Sequence, residues 1–184
     1  MSERLFVAVV PPQEAVEAWD AFLDPRRDAE PRFRWTVPEG WHLTCAFMAG
    51  VPEGLVEVLG DSLEQVARRT APFDLEVAGG GAFPDPDRAK ALWLGVRTGA
   101  DHLARLAIRV RNACSSAGVA VDGGRFHPHL TLARTRPVSA ARWLTILDAA
   151  PPQAWTVEEF TLVRSRVLPG GSGYEAVSRH RLVG

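Results

Sequence analysis

His127-Pro128-His129-Leu130-Thr131-Leu132-Ala133-Arg134 is the stretch on which the reading of this chain turns. Leu130 and Leu132 fall on one side of an extended backbone, His129 and Thr131 on the other, which is the period of a half-buried strand. An imidazole and a hydroxyl therefore stand side by side on the polar face. Trp41-His42-Leu43-Thr44-Cys45-Ala46-Phe47 carries the same His-x-Thr pattern.

The two copies lie in a repeated frame. The offset of 87 positions from His42 to His129 also carries Leu5–Val9 onto Leu92–Val96 and Phe73–Val77 onto Phe160–Arg164. Two repeats are too few for a solenoid. They suggest a pseudo-twofold pair of halves, each supplying one His-Thr strand to a shared cleft.

Around these strands the chain reads as alternating strands and helices. Leu5–Val10 is a buried strand, and a helix after Pro11-Pro12 carries Val16, Trp19, Phe22 and Leu23, followed by a charged loop from Asp24 to Pro31. A short strand at Phe33–Val37 and a turn at Pro38-Glu39-Gly40 lead into the first His-Thr strand, which runs to Gly50. A helix opened by Pro52 buries Leu55, Leu59, Leu63 and Val66, and Phe73–Val77 is the next strand. Gly79-Gly80-Gly81 with Phe83-Pro84-Asp85-Pro86 reads as a bulge and loop. The glycines lack the Lys-Ser/Thr of a phosphate loop, and no helix follows them.

In the second half, Lys90–Val96 is a strand paired with Phe73–Val77. A helix from Asp101 to Gly118 buries Leu103, Leu106, Ala107, Val110 and Cys114. Ser139 caps a helix holding Trp143, Leu144 and Leu147. Trp155–Val167 is one long strand, and Pro169–Gly173 is a turn before the last strand, Tyr174–Leu182. This order predicts an α+β class with antiparallel sheets, in a single bilobal domain over residues 1–184 with repeats at about 4–87 and 91–174.

Composition narrows the function classes. A net charge of −1 gives no global basic field. Lys90 is the one lysine; the other basic residues are arginines, which suit bidentate phosphate contacts and also match a GC-rich genome. Cys45 and Cys114 are too few for a disulfide framework, and both fall at buried positions. The first apolar run is too short for a signal peptide, and no stretch approaches a membrane span. The expectation is a cytoplasmic protein in a reducing compartment, monomeric by default and with no obligatory protein partner.

Two imidazoles can hold opposite protonation states near neutrality, one taking a proton while the other gives one. Two hydroxyls can donate to oxygens that gain negative charge. This set suits a phosphorus centre with two non-bridging oxygens, attacked in line. Acyl transfer would need a nucleophile, and no Gly-x-Ser-x-Gly elbow is present; Cys45 projects away from His42 and Thr44. A zinc reading has a foothold in His127-x-His129 with His42, but acidic or Cys ligands at suitable spacing are missing, and no metal or cofactor is expected.

At these residues the chain resembles the two-histidine phosphoesterase superfamily, and within it the RNA 2′,3′-cyclic phosphodiesterases, also called 2′-5′ RNA ligases. The resemblance runs from Arg4-Leu5-Phe6-Val7-Ala8 through Arg34-Trp35, both His-x-Thr motifs, Gly81-Ala82-Phe83-Pro84, Leu92–Val96, Leu162–Ser165 and Gly170–Glu175. Cys45 and Met48-Ala49-Gly50 depart mildly from the family pattern, beside the site. The resemblance implies a bilobal fold, two pseudo-symmetric halves with antiparallel sheets facing a central cleft and helices outside, and no metal. It implies His42 as general acid and His129 as general base, with Thr44 and Thr131 holding the non-bridging oxygens. The expected substrate is RNA ending in a 2′,3′-cyclic phosphate, or a small nucleotide. Hydrolysis would leave a 2′-phosphate, and the reverse step would make a 2′-5′ linkage.

Arg134, Phe47, Tyr174 and Arg34 are candidate substrate contacts: Arg134 and Arg34 for phosphates, Phe47 and Tyr174 for a base or the cleft wall. His127, His102 and His180 read as solvated or structural. Two other readings fit the same motifs. One is a nucleotide-binding module with little catalysis. The other is a related phosphodiesterase acting on another cyclic phosphate or on a 2′-5′ oligonucleotide.

Overall fold

The structure, a computed structural model, describes residues 2–169 and 171–184. Strands β1 (Ser2–Val9), β2 (Arg34–Trp35), β3 (Leu43–Pro52), β4 (Phe73–Phe83), β5 (Ala89–Thr98), β6 (His129–Val138), β7 (Gln153–Val157), β8 (Glu159–Leu168) and β9 (Gly171–Arg181) form one sheet. The order is β7-β4-β5-β6-β3-β1-β8-β9, with β2 paired to β6, and every pairing is antiparallel. Helices α1 (Gln13–Arg27), α2 (Val56–Arg68), α3 (Ala100–Ser116) and α4 (Ala141–Asp148) supply the rest of the core. The class is the expected α+β.

The sheet order has a symmetry of its own. At its centre β6 meets β3 through Leu43 and Leu130. Outward from that seam run β5 and β4 on one side, β1 and β8 on the other. The third strand of each lobe, counted from the seam, comes from the opposite half of the chain: β4 precedes β5 and β6, and β8 follows β1 and β3, while β7 and β9 form the two edges. The core is nearly all aliphatic and aromatic, with Leu5, Val7 and Val9 of β1, Leu59 and Leu63 of α2, and Leu103, Leu106 and Val110 of α3 all fully buried. All five residues predicted to face inward from α3 do so.

Several boundaries differ from the sequence reading. The first helix runs on through Arg27, where a charged loop was expected, with Pro25 inside it. Proline is tolerated here because it falls in the last turn, where the carbonyl it fails to meet belongs to exposed Ala21. The turn is held by Arg27, which pairs with Asp20 at 2.6 Å and Asp24 at 3.7 Å, and by Arg26, which donates to the Phe22 carbonyl. Ser139 does not cap α4; Ala140 occupies the N-cap without a side-chain bond, and its backbone N–H donates to Pro86 O at 2.7 Å.

The triple glycine is not a loop but part of β4. Gly79 has φ +82°, and the register of β4 against β5 slips between Val77 and Gly80, so the predicted bulge sits inside the strand. Gly81 has another reason to be glycine: a Cβ there would lie 2.0 Å from the Trp93 ring, which crosses β4 at that point.

The long strand predicted from Trp155 to Val167 is two strands broken at Glu158. β7 pairs with β4 and β8 pairs with β1 and β9, so the break carries the chain from one lobe to the other. The first His-Thr strand begins at Leu43, one residue after His42, and ends at Pro52 rather than Gly50. β8 and β9 reach Leu168 and Gly171, leaving a shorter turn than expected; Gly170 of that turn lies outside the described residues.

Candidate active site

The seam between β3 and β6 builds the site. Leu43 and Leu130 face each other across it and are buried. Alternation then puts His42, Thr44, His129 and Thr131 on the opposite face of the sheet. Continuing the antiparallel register sets His42 across from Thr131 and Thr44 across from His129. Each histidine thus stands beside its own threonine two residues away and across from the other strand's threonine. All four line one cleft of about 370 Å³.

Both imidazoles are held by the same device. The Nδ1 of His42 lies 2.7 Å from the carbonyl of Gly40, and the Nδ1 of His129 lies 2.7 Å from the carbonyl of His127. A carbonyl only accepts, so each Nδ1 carries a proton and each Nε2 is left for proton transfer. The tight turn Pro38–Gly40 presents the first carbonyl. Thr36 ties the segment before it to β6, its N–H donating to Leu132 O at 2.8 Å.

The rings around the two histidines differ. Phe6 stacks on His42 at 4.5 Å, and Tyr174 meets it edge-on at 5.5 Å. His129 has Phe83 edge-on at 4.8 Å, Trp93 at 6.0 Å and the parallel His127 ring at 6.2 Å. Burial pushes the pKa of both imidazoles below the ordinary histidine value, against the carbonyl bonds that raise it. Positive neighbours push the same way: His129 and Arg134 for His42, His127 and Arg134 for His129. The unliganded pair is thus biased toward neutral rings, and the site is prepared for an anion.

Of the predicted substrate contacts, Arg134, Phe47 and Tyr174 line the cleft. Arg34 does not; it lies exposed on β2, opposite Arg134 in the strand register. Arg4, Phe6, Thr36, Ser165 and Ser172 also line the cleft, and the sequence reading assigned them no role there. The signal was present for two of them. In β1, Arg4 and Phe6 alternate with Leu5 and Val7, but a run read as continuously apolar hides that second face. Phe6, Ala8 and Val163, with Phe47 against them, form a small cluster apart from the main core; Phe6 and Phe47 bring it to the cleft wall. The Arg4 guanidinium lies 5.4 Å from the centre of the Phe47 ring.

The remaining titratable groups fall elsewhere. Cys45 is fully buried, with its thiol pushed up to about 12 by desolvation, and Cys114 is buried and pushed up to about 11. Neither is a nucleophile in the cleft. His180 is buried between Glu64 Oε2 at 3.1 Å and Ser178 Oγ at 2.8 Å, and links α2 to β9. His102 stacks on Phe73 at the surface. Among the described residues no three His, Cys, Asp or Glu side chains gather as a metal centre requires, and no helix is long and apolar enough to cross a membrane.

Residues 9–167 match the model of the 2′-5′ RNA ligase superfamily. The chain is 33% identical over 192 residues to a Thermus thermophilus protein named RNA 2′,3′-cyclic phosphodiesterase, covering 98% of this chain and 91% of the relative. A Geobacillus stearothermophilus protein of the same name is 32% identical over 181 residues, covering 97% of this chain; the chain spans just over half, 57%, of that relative's length. The crystal structure of Escherichia coli LigT complexed with 3′-AMP superposes with a TM-score of 0.81 at 26% identity, covering 100% of both chains. The fold is that of the two-histidine phosphoesterases, and by its matched family model and its full-length relatives the chain belongs to the 2′-5′ RNA ligase superfamily.

Proposed function

We propose that this protein hydrolyses RNA 2′,3′-cyclic phosphate ends to 2′-phosphates without a metal, using His42 as general acid and His129 as general base. One observation carries the reading: two His-Thr pairs meet across the β3–β6 seam with each Nδ1 held by a carbonyl. Relatives named RNA 2′,3′-cyclic phosphodiesterase support the substrate class. The two halves, about residues 4–87 and 91–174, act as one bilobal domain around this cleft.

In the reaction, Nε2 of neutral His129 takes a proton from water. The water oxygen bonds to phosphorus, the bond from phosphorus to the 3′-oxygen breaks, and protonated His42 gives its proton to that oxygen. Thr44 and Thr131 donate to the two non-bridging oxygens as charge builds on them. Arg134 and Arg4 make no ion pair among the described residues and line the cleft, so both are free to meet phosphate. The bound anion also restores the proton to His42, because a negative charge beside an imidazole favours its charged form.

The test is turnover of a short RNA ending in a 2′,3′-cyclic phosphate, in excess chelator, with 2′- and 3′-phosphate products resolved. The expected result is 2′-phosphate from the native chain, with a loss of about 10²–10⁴ in kcat in each of His42→Ala and His129→Ala. Nucleotide binding without turnover would replace the enzyme by a binding module. Turnover confined to a 2′-5′ oligonucleotide or another cyclic phosphate would replace the substrate, and turnover abolished by chelator would replace the metal-free chemistry.

A further inference from the structure

The two histidines differ in what lies behind their aromatic neighbours. Phe6 and Tyr174, the rings against His42, line the catalytic cleft itself. Phe83 and His127, two of the rings against His129, line a second hollow of about 470 Å³ together with Arg125 and Phe126. The hollow is open to solvent, a surface groove on which a flat group can lie rather than an enclosed pocket. The cleft residues do not include any of these four.

The chemistry of the hollow is specific. Its lining is three rings and one guanidinium, with no carboxylate. Flat rings stack on a nucleic-acid base whatever its identity, and an arginine answers the adjoining phosphate. Arg125 is exposed and makes no ion pair among the described residues. The loop that carries it is braced. Arg111 donates from Nη1 to Gly124 O at 2.9 Å and from Nε to Cys45 O at 3.1 Å, and its guanidinium lies 5.6 Å from the centre of the Phe126 ring. Phe126 is thereby tied to β3, the strand that carries Thr44.

In the proposed reaction the attacking oxygen loses its proton to His129. If that oxygen belongs to water, nothing more is needed. If it is the 5′-oxygen of a second RNA strand, its nucleoside must sit beside His129 and outside the cleft already filled by the cyclic end. We infer that the Phe83–Arg125–Phe126–His127 hollow is the subsite for the nucleoside whose 5′-oxygen joins or leaves phosphorus at His129. This rests on the proposed function with His129 as base. The step balances without another reactant: His129 takes the 5′-hydroxyl proton, the bond from phosphorus to the 5′-oxygen forms, the bond to the 3′-oxygen breaks, and His42 protonates the 3′-oxygen. The product is a 2′-5′ linkage, and its cleavage reverses each step.

The experiment offers the full chain an RNA ending in a 2′,3′-cyclic phosphate together with a short RNA bearing a 5′-hydroxyl, and reads the ratio of joined to hydrolysed product. Phe126→Ala and Arg125→Ala should each hydrolyse the cyclic end within about twofold of the native rate, because water needs no subsite. Each should lower the joined-to-hydrolysed ratio about tenfold, the scale of one lost base stack or phosphate contact. An unchanged ratio in both variants would overturn the subsite. So would hydrolysis by the native chain with no joining at any concentration of the 5′-hydroxyl strand, while leaving the hydrolase standing. Failure of the native chain to hydrolyse the cyclic end would instead overturn the hydrolase reading and the subsite with it.

Discussion

Arg134 is the residue through which charge reaches both imidazoles. It stands on β6 three positions past Thr131, lines the cleft, and pushes the pKa of His42 and of His129 downward. Removing that charge while keeping a polar side chain should let both rings hold a proton more readily. In unliganded Arg134→Gln, the two imidazoles are expected to titrate at higher pH than in the native chain, followed by NMR of the ring protons. Unmoved titrations would mean that burial and the neighbouring histidines depress them without Arg134. Phe47 and Tyr174 show how far a local pattern reaches. Phe47 was a candidate as an aromatic beside the first motif and Tyr174 as one that follows a turn; both line the cleft, Phe47 because the register of β3 against β1 slips at Cys45. Arg34 was a candidate for the RNA backbone; it stands opposite Arg134 in the register but one strand further from the histidines, and it does not line the cleft.

At the scale of elements, the support of His129 depends on a contact between strands that no stretch of sequence displays. The Trp93 ring lies 4.8 Å from the His127 ring and 6.0 Å from that of His129, and it occupies the space a side chain at Gly81 would need. Gly81→Ala should displace the indole, costing about 1–3 kcal/mol of stability as overpacking does, and should slow cyclic phosphate turnover. A denaturant midpoint and kcat would read the two effects; a variant as stable and as fast as the native chain would show that Trp93 has another resting place. The same kind of nonlocality explains what could not be read in advance. Period-2 runs and turn prolines located most strands and helices, because those signals are local. A glycine triplet looks like a loop until the ring that crosses it is known. The break at Glu158 has a sequence signal: Trp155 and Val157 fall at odd positions and Phe160 and Leu162 at even ones, so the alternation changes phase at Glu158-Glu159, where the partner changes from β4 to β1.

For the molecule as a whole, two imidazoles kept below their ordinary range make stability depend on pH. The unfolded chain binds protons at the ordinary histidine value, about 6.5, and the folded chain only below it. Between those values the unfolded state holds more protons, so stability is complete above about pH 6.5 and falls as pH drops through the folded values. His42→Gln should remove its share of that fall, read as a smaller shift in denaturant midpoint between pH 7.5 and 5 than in the native chain; an equal shift would assign the acid sensitivity to other groups.

The exchange of β4 and β8 between the halves sets a further condition, on how the chain comes off the ribosome. β1 and β3 are made early, but β8, which pairs with β1, comes only near the end. At 5–20 residues a second, β1 waits on the order of ten seconds with one edge bare. An open strand edge recruits other strands, so the nascent chain is most exposed to misassociation and to holdase chaperones in that interval. The first half cannot close its own lobe until the second is synthesised, whereas the second finds β4 already made.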